Sequence, residues 1–361
     1  ELSQSQVDEI CGDNWSDVQD VYPLSPLQAG ILFHALFDPA SEAYFTQMRL
    51  ELQGDVDARA MDAAWRAVAE QFDVLRTRFV WDGVDEPVQV VSKTGRMPFV
   101  VVDDIISAGG MDEFLRSDRA AGLDLGQSPV SRVTLVRTGP QSSTLVWSHH
   151  HILLDGWSLP IVFRSLFAAY DHARAGTVYA PPSPSVPYRR YIAWLSRQDK
   201  VAAEAFWRDE LSGLEGPTSI ADMKLDDARL ETDSDVNSVE RVLDVESSRR
   251  LKDFAREQHV TVSTVVQFCW AMVLSAYGRT HDVVFGTTVS GRSGGDIAGV
   301  ENMVGLLINT LPTRVQLDAS SSIGDALRDL QLRQVAAREY EFVSLADISL
   351  WAGLPGRVVA F

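Results

Sequence analysis

The sequence predicts a mixed α/β (α+β) chain folded as two lobes. Three observations predict it. At 361 residues the chain is too long for one small domain. Both halves mix alternating, strand-like runs with long runs at helical spacing. Between them lies a stretch, 176–187, that carries Pro181, Pro182, Pro184 and Pro187 and little apolar periodicity. The expected division is a lead-in over 1–20, an N-terminal lobe over 21–178 and a C-terminal lobe over 179–361.

Residues 1–20 are polar, with Asp8, Asp13, Asp17 and Asp20, and read as the lead-in. Ser25 followed by Pro26 is a helix start, because a serine caps orphan N–H groups and proline fits the first turn. That helix should run through Ile31, Leu32 and Leu36 to Pro39, and His34 within it reads as a packed or surface histidine. Residues 44–53 alternate as a strand, and 57–72 place Met61, Trp65, Val68 and Ala69 at helical spacing. Residues 74–81 and 88–91 read as strands paired about the turn Asp82-Gly83, and 99–102 as another short strand. A hairpin over 130–136 and 144–151 turns at Thr138-Gly139-Pro140, and a helix over 158–175 ends at Gly176.

In the second half, helices are expected over 188–197 and 201–211, then an acidic irregular stretch over 214–237 and a strand over 239–245. Helices over 247–258 and 263–277 follow, the second apolar on nearly all sides and therefore expected to be buried. A strand over 282–289, a Gly-rich loop over 290–302, a strand-like run over 304–315 and a long helix over 321–340 complete the reading. No short-period repeat is present.

Composition narrows the function classes. Hydrophobic residues make up 45% and charged residues 23%, which suits an ordinary packed core. A net charge of -18 argues against a nucleic-acid surface. The two cysteines, Cys11 and Cys269, make no disulfide framework and fit a reducing compartment. The acidic, polar first residues look unlike a signal peptide, and no apolar run reaches membrane-span length. A cytoplasmic protein without membrane contact is expected.

The chemistry concentrates at Ser148-His149-His150-His151-Ile152-Leu153-Leu154-Asp155-Gly156-Trp157-Ser158, between a strand and a helix. On a strand, His149 and His151 share one face and His150 takes the other. Two imidazoles at that spacing with Asp155 could bind zinc, but no further cluster of ligand residues stands nearby, and no metal is expected. A histidine at a strand end can act as acid or base near neutral pH. Asp155 could orient that imidazole or hold the loop through an ion pair elsewhere. Gly156 would allow close backbone approach or a left-handed turn. A purely structural reading, in which these polar groups satisfy one another, also stands. There is no Gly-x-Ser-x-Gly nucleophile elbow. The loop Ser290-Gly291-Arg292-Ser293-Gly294-Gly295-Asp296 lacks the Gly-Lys-Ser/Thr ending of a phosphate cradle and reads as a cleft-lining loop.

The stretch His150 to Gly156 matches the His-His-x-x-x-Asp-Gly signature of nonribosomal peptide synthetase condensation domains. Four further stretches resemble that family's motifs in order: Tyr22 to His34, Val74 to Phe79, Asp282 to Arg292 and Val304 to Pro312. The resemblance covers nearly the whole chain. It implies two chloramphenicol-acetyltransferase-like lobes forming a V, a pseudo-dimer with a central tunnel. It implies amide formation between an acceptor aminoacyl thioester and a donor peptidyl or aminoacyl thioester. Both would ride on 4'-phosphopantetheine arms of upstream and downstream carrier proteins, with an adenylation domain as neighbour. No Leu-Gly-Gly-x-Ser carrier motif is present, so the chain bears no such arm itself.

By the same resemblance, His151 takes a proton from the attacking amine or hydrogen-bonds the intermediate, and Gly156 offers a backbone N–H near the reacting centre. His150 is structural. Asp155 is the structural carboxylate, and Arg292 its ion-pair partner across the lobes. Trp157, Ser158, Ser290 and Asn309 are placed on the tunnel wall. Two features depart from the family. Gln71-Phe72 stands where the second motif usually opens with Arg-His, which leaves Arg76 and Arg78 to carry it. The family also continues beyond Gly353-Leu354-Pro355-Gly356-Arg357 through more strands and a final helix, so the C-terminal lobe is expected to be incomplete. The first motif looks most like the subclass that takes donors ending in a D-residue. Alternatives are a non-catalytic recruitment module of the same fold, an epimerization domain, or a coenzyme A-dependent acyltransferase.

Overall fold

A computed structural model describes residues 4–39, 41–103, 105, 109–182, 184–218, 239–293 and 297–354. Gly294, Gly295 and Asp296 of the Gly-rich loop lie outside these residues, as do most of the acidic stretch and Pro355 to Phe361. The chain forms two units. The first takes residues 1–198 and 290–308, and the second 199–289 and 309–361. The break therefore falls after the proline-rich stretch, and a later segment returns to the first unit.

The first unit opens with helix α1 (Gln4–Cys11), a 3-10 turn (Gly12–Asp17) and strand β1 (Val18–Pro23). The lead-in is thus folded. Ile10 is buried beside Val88 and Val90, because β1 pairs with β4 (Val88–Ser92). Helix α2 (Pro26–Phe37) follows, with Ser25 as N-cap. Strand β2 (Phe45–Gln53) and helix α3 (Ala58–Gln71) come next. The expected strand at 74 begins later. Asp73–Arg76 is a 3-10 turn, and β3 covers only Thr77–Val80. The Asp73 carboxylate accepts from Val74 N–H at 3.0 Å and its carbonyl from Thr77 Oγ1 at 2.9 Å, which winds the backbone out of the ladder.

Strand β5 (Phe99–Val102) precedes a helix with no sequence expectation, α4 (Met111–Ala120). Strands β6 (Ser131–Gly139) and β7 (Ser142–His150) form the expected hairpin. Helix α5 (Leu159–Arg174) ends at Gly176, whose φ is 67°. Strands order as β1-β4-β3 in one sheet and β2-β7-β6-β5 in the other. Trp147 of β7 packs against Trp65 of α3 at 5.1 Å and edge-on against Phe163 of α5 at 5.7 Å. That fixes the buried face of the larger sheet and thereby the face each later residue of β7 presents. Helix α6 (Arg189–Leu195) closes the first run of this unit.

The second unit holds α7 (Lys200–Glu210), α8 (Val245–Glu257), α9 (Val262–Gly278), β8 (Asp282–Val289), β9 (Asn309–Gln316), α10 (Ile323–Arg338) and α11 (Leu345–Trp351). Strands β8 and β9 pair antiparallel. Phe268, Leu274, Val283, Phe285, Leu327 and Leu330 make its core. Three expectations are corrected here. Residues 239–244 form no strand among the described residues, because Asp244 caps α8 through Ser247 N–H at 2.6 Å. Helix α9 is buried on one face only, and Val266, Trp270, Met272, Val273 and Tyr277 are exposed. The strand-like run at 304 joins the ladder only from Asn309, for a reason found at the site below. No single helix among the described residues is long and apolar enough to cross a membrane.

Candidate active site

Strand β7 carries His149 and His150 and ends just before His151. His149 lies opposite Thr46 of β2 and Ser131 of β6, on the Trp147 face. Its ring sits 4.4 Å from that of Trp147, and the residue is 2% exposed. Burial, then the neighbouring His151 and His150, push its pKa down to about 3. His150 is the last strand residue and takes the opposite face. Burial and then His151 lower its pKa to about 4. Its Nδ1 accepts from Ile152 N–H at 3.3 Å, and its ring lies 6.1 Å from Tyr44, which in turn lies 6.3 Å from His34. His150 is therefore a neutral structural acceptor, and His34 a half-buried member of an aromatic row.

The strand ends before His151, so the alternation that put His149 and His151 on one face does not extend to it. His151 N–H still donates to Tyr44 O at 2.8 Å, but the residue sits in a turn. The residue is partly exposed, and its Nδ1 is enclosed with no hydrogen-bond partner among the described residues. Of the three histidines it is the most exposed, His149 and His150 being 2% and 9% exposed, and it stands directly at the end of a strand.

The loop after it is pinned by Asp155, which is 1% exposed. Arg292 grips the carboxylate with both terminal nitrogens, at 2.8 and 2.9 Å. Ser158 N–H and Oγ reach Oδ1 at 3.1 and 3.0 Å. Leu307 and Ile308 N–H reach Oδ2 at 3.0 and 3.3 Å. A carboxylate so fully occupied compensates for its own desolvation. Of the two tasks open to it in the sequence, it holds the loop, and none of these bonds goes to a histidine. The pull of Leu307 and Ile308 N–H toward Asp155 is also why β9 starts late. Those donors serve the carboxylate and leave the ladder to begin at Asn309.

Asp155 and Arg292 both belong to the first unit, because 290–308 folds back onto it. Gly291 makes that return possible. Its φ is +63°, and a Cβ there would run into Leu307 O. Ser158 is fully buried. Its Oγ lies 3.0 Å from Gly305 O and accepts from Gly305 N–H at 3.1 Å, so it presents no surface to a tunnel. Ser290 supports Arg292, accepting from its N–H through Oγ at 3.3 Å and from Nη1 through its carbonyl at 3.2 Å. Trp157 is 54% exposed. Gly156 is exposed, has no left-handed φ and nothing within 4 Å of its missing Cβ, so no turn and no neighbouring protein atom requires glycine there. Asn309 belongs to the second unit and is buried. Its Nδ2 donates to Glu341 O at 2.8 Å and Val343 O at 2.6 Å.

Residues missed in the sequence complete the frame. Tyr188 Oη donates to Leu306 O at 2.6 Å, and burial raises its pKa. Asp118 of α4 accepts from Ser148 Oγ at 2.5 Å, Arg132 Nε at 2.6 Å and Gln47 Nε2 at 2.6 Å, behind the histidine run. Burial alone would raise its pKa, but these bonds bring it below the usual value. The spacing of Ser158 three residues after Asp155 was a readable signal, since an aspartate commonly caps an N–H at that distance. Nothing in the sequence pairs Tyr188 with Leu306 or Asp118 with Ser148. Arg76 of the second motif is a buried guanidinium bound to Ala69 O at 2.7 Å and to Ser92 O. Its role is to tie α3 to β4.

Comparison with known proteins places this geometry. The condensation domain family matches residues 18–352. A linear gramicidin synthase component from Brevibacillus parabrevis is 41% identical over 362 residues, covering 98% of this chain and 7% of its own length. Surfactin synthase subunit 3 of Bacillus subtilis (strain 168) is 34% identical over 343 residues, covering 94% of this chain and 26% of its own length. The chain thus spans a small part of the synthetases it matches. Among solved structures, the X-domain from teicoplanin biosynthesis superposes with a TM-score of 0.77 at 24% identity, covering 93% of this chain and 74% of that one. The first condensation domain of the calcium-dependent antibiotic synthetase gives 0.74 at 20% identity, covering 94% and 79%. These two likenesses concern the fold. The family match across residues 18–352 and the identities above 30% go further: this chain belongs to the condensation domain family.

Proposed function

We propose that this chain joins an acceptor aminoacyl thioester to a donor peptidyl or aminoacyl thioester, both held on phosphopantetheine arms of carrier proteins. The amine nitrogen attacks the thioester carbonyl carbon and a C–N bond forms. The tetrahedral oxyanion collapses, the C–S bond breaks, and the donor arm leaves as thiol. The ammonium proton passes to His151, or His151 hydrogen-bonds the intermediate while the thiolate takes the proton. Positioning of the two thioesters supplies much of the rate. Gly156 N–H is the donor nearest this step, and Trp157 and Ser290 belong to the substrate channel.

The observation that carries this reading is the standing of His151. It is the partly exposed histidine on a loop fixed by a buried, fully bonded carboxylate. The rest of the reading follows the family: two acetyltransferase-like lobes in a V with a central tunnel. Carrier and adenylation domains are neighbours, the compartment is the cytoplasm, and the donor ends in a D-residue. A recruitment module of the same fold is the second reading, drawn from the likeness to the X-domain.

A reconstitution separates the two. A donor carrier loaded with a short peptide and an acceptor carrier loaded with an amino acid are mixed with the chain. The acceptor is followed by intact-protein mass spectrometry. The expected result is a mass gain equal to the donor peptide, lost in His151→Ala. Carrier binding without transfer, for donors of either configuration, would favour the recruitment module.

A further inference from the structure

The loop that carries His151 is anchored differently at its two ends. Its far end rests on Asp155 and Arg292. Next to His151, the Ile152 carbonyl accepts from Gln28 Nε2 at 3.0 Å, across 124 residues of chain. Ile152 is fully buried and Gln28 is 1% exposed. Gln28 belongs to the start of α2, where its Oε1 accepts from Ser25 N–H at 2.9 Å in a reciprocal cap. A second buried amide, Gln89 near the start of β4, meets it. Gln89 Nε2 donates to Gln28 Oε1 at 3.0 Å and to Pro23 O at 2.9 Å, and its Oε1 lies 3.3 Å from Gln28 Nε2.

This arrangement fixes which way the Gln28 amide points. Ser25 N–H and Gln89 Nε2 both require an acceptor, so the oxygen faces them and the nitrogen must face Ile152 O. Both donors of that nitrogen are then used, on Gln89 Oε1 and on Ile152 O. Closing the helix cap does not need the bond to Ile152, and burying a polar amide here costs more than burying a methionine. Of the two bonds that need a glutamine-like donor, the one that reaches the loop goes to the Ile152 carbonyl, next to His151.

We infer that Gln28 is a positioning residue for condensation, holding the carbonyl of Ile152 next to His151 and through that residue the imidazole, with Gln89 orienting the Gln28 amide. The inference rests on the proposed role of His151. A shift of about 1 Å at a reacting group can cost ~10²-fold in rate, so a single lost anchor beside the imidazole has room to act.

The test is steady-state transfer between loaded carriers by the full chain, with thermal melting alongside. Gln28→Met keeps length and packing but has no donor. Gln28→Glu keeps the acceptor for Ser25 N–H and, ionised, offers Ile152 O nothing. Both are expected to lower kcat ~10–100-fold while KM for each loaded carrier stays at its wild-type value. Ser25→Ala weakens the cap and lowers Tm, but leaves the Gln28 amide in place and should keep kcat. If either Gln28 variant lowers Tm while kcat stays at the wild-type value, the role is structural only and the inference is overturned. Should Gln28→Met not fold, Gln28→Glu decides, and Gln89→Met, which does not touch the loop, should show the same split at smaller size. His151→Ala run in parallel separates the two levels. A wild-type rate in that variant removes the proposed function itself, whereas loss there with unchanged kcat in the Gln28 variants removes only this inference.

Discussion

At the scale of single residues, the site divides its polar groups into those that must stay neutral and those that must stay charged. His149 and His150 are of the first kind, with pKa values pushed to about 3 and about 4 by burial. In the unfolded chain each would titrate near ~6.5. A base whose folded pKa is lowered binds its proton more readily when unfolded, so folding stability holds above that value. It is lost as pH falls through 6.5 toward the folded values. Each histidine steepens the decline by at most about 1.4 kcal/mol per pH unit. Urea melts between pH 7.5 and 4 should show this slope, and His149→Leu should flatten it. Asp155 and Arg292 are of the second kind. Asp155→Asn strands a guanidinium whose side chain is 8% exposed, at a cost of about 3–5 kcal/mol. Normal melting of Asp155→Asn and Arg292→Ala would refute the structural reading of the pair. In a double-mutant cycle the two changes should fall well short of additivity.

At the scale of elements, short returns of chain do more than the regular strands. The segment 290–308 reaches back to Asp155 through a turn that only glycine fits at position 291. Gly291→Ala should displace Arg292 and cost about 1–3 kcal/mol from backbone strain alone. Condensation should fall with it, and the mass-spectrometric transfer assay reads this directly. Strand β9 then begins at Asn309, whose amide holds the carbonyls of Glu341 and Val343. Asn309→Ala leaves both carbonyls without that donor, at about 1–3 kcal/mol each. Hydrogen exchange over α11 should speed up in that variant while β7 stays protected. The element lesson from the sequence is similar. The helix start at Ser25 was legible, because a serine before a proline is a local cap signal, whereas the caps Asp244 and Thr261 emerged only in the structure. Strand limits at 74 and 304 were not legible, because the backbone there bonds to Asp73 and Asp155 and leaves the ladder.

At the scale of the molecule, the first unit is discontinuous in sequence. A fragment ending at Gln198 would lack Arg292, Leu307 and Ile308, and would leave Asp155 buried without its charge partner. Such a fragment is expected to melt broadly and early, measured by circular dichroism. Rejoining 290–308 through a short flexible linker should restore a cooperative transition. Equal melting of the two fragments would mean that the returning segment adds little to the unit.

The sequence alone determined the mixed α/β class, the helix cap at Ser25, the hairpin that leads into the histidine run, and the family, through five motifs in order. These rest on local periodicity, on capping chemistry within a few residues, and on residue identity, all of which one chain of letters carries. The resemblance already paired Asp155 with Arg292; only the tertiary structure decided which further donors hold that carboxylate, and that Ser158 and Asn309 are buried braces. It also decided that residues near 300 belong with residues near 155. Those outcomes depend on partners more than a hundred positions away, such as Ile152 with Gln28 and Asp155 with Leu307. Hydrogen bonds and burial select such partners in space, and neither leaves a mark in the spacing of neighbours along the chain.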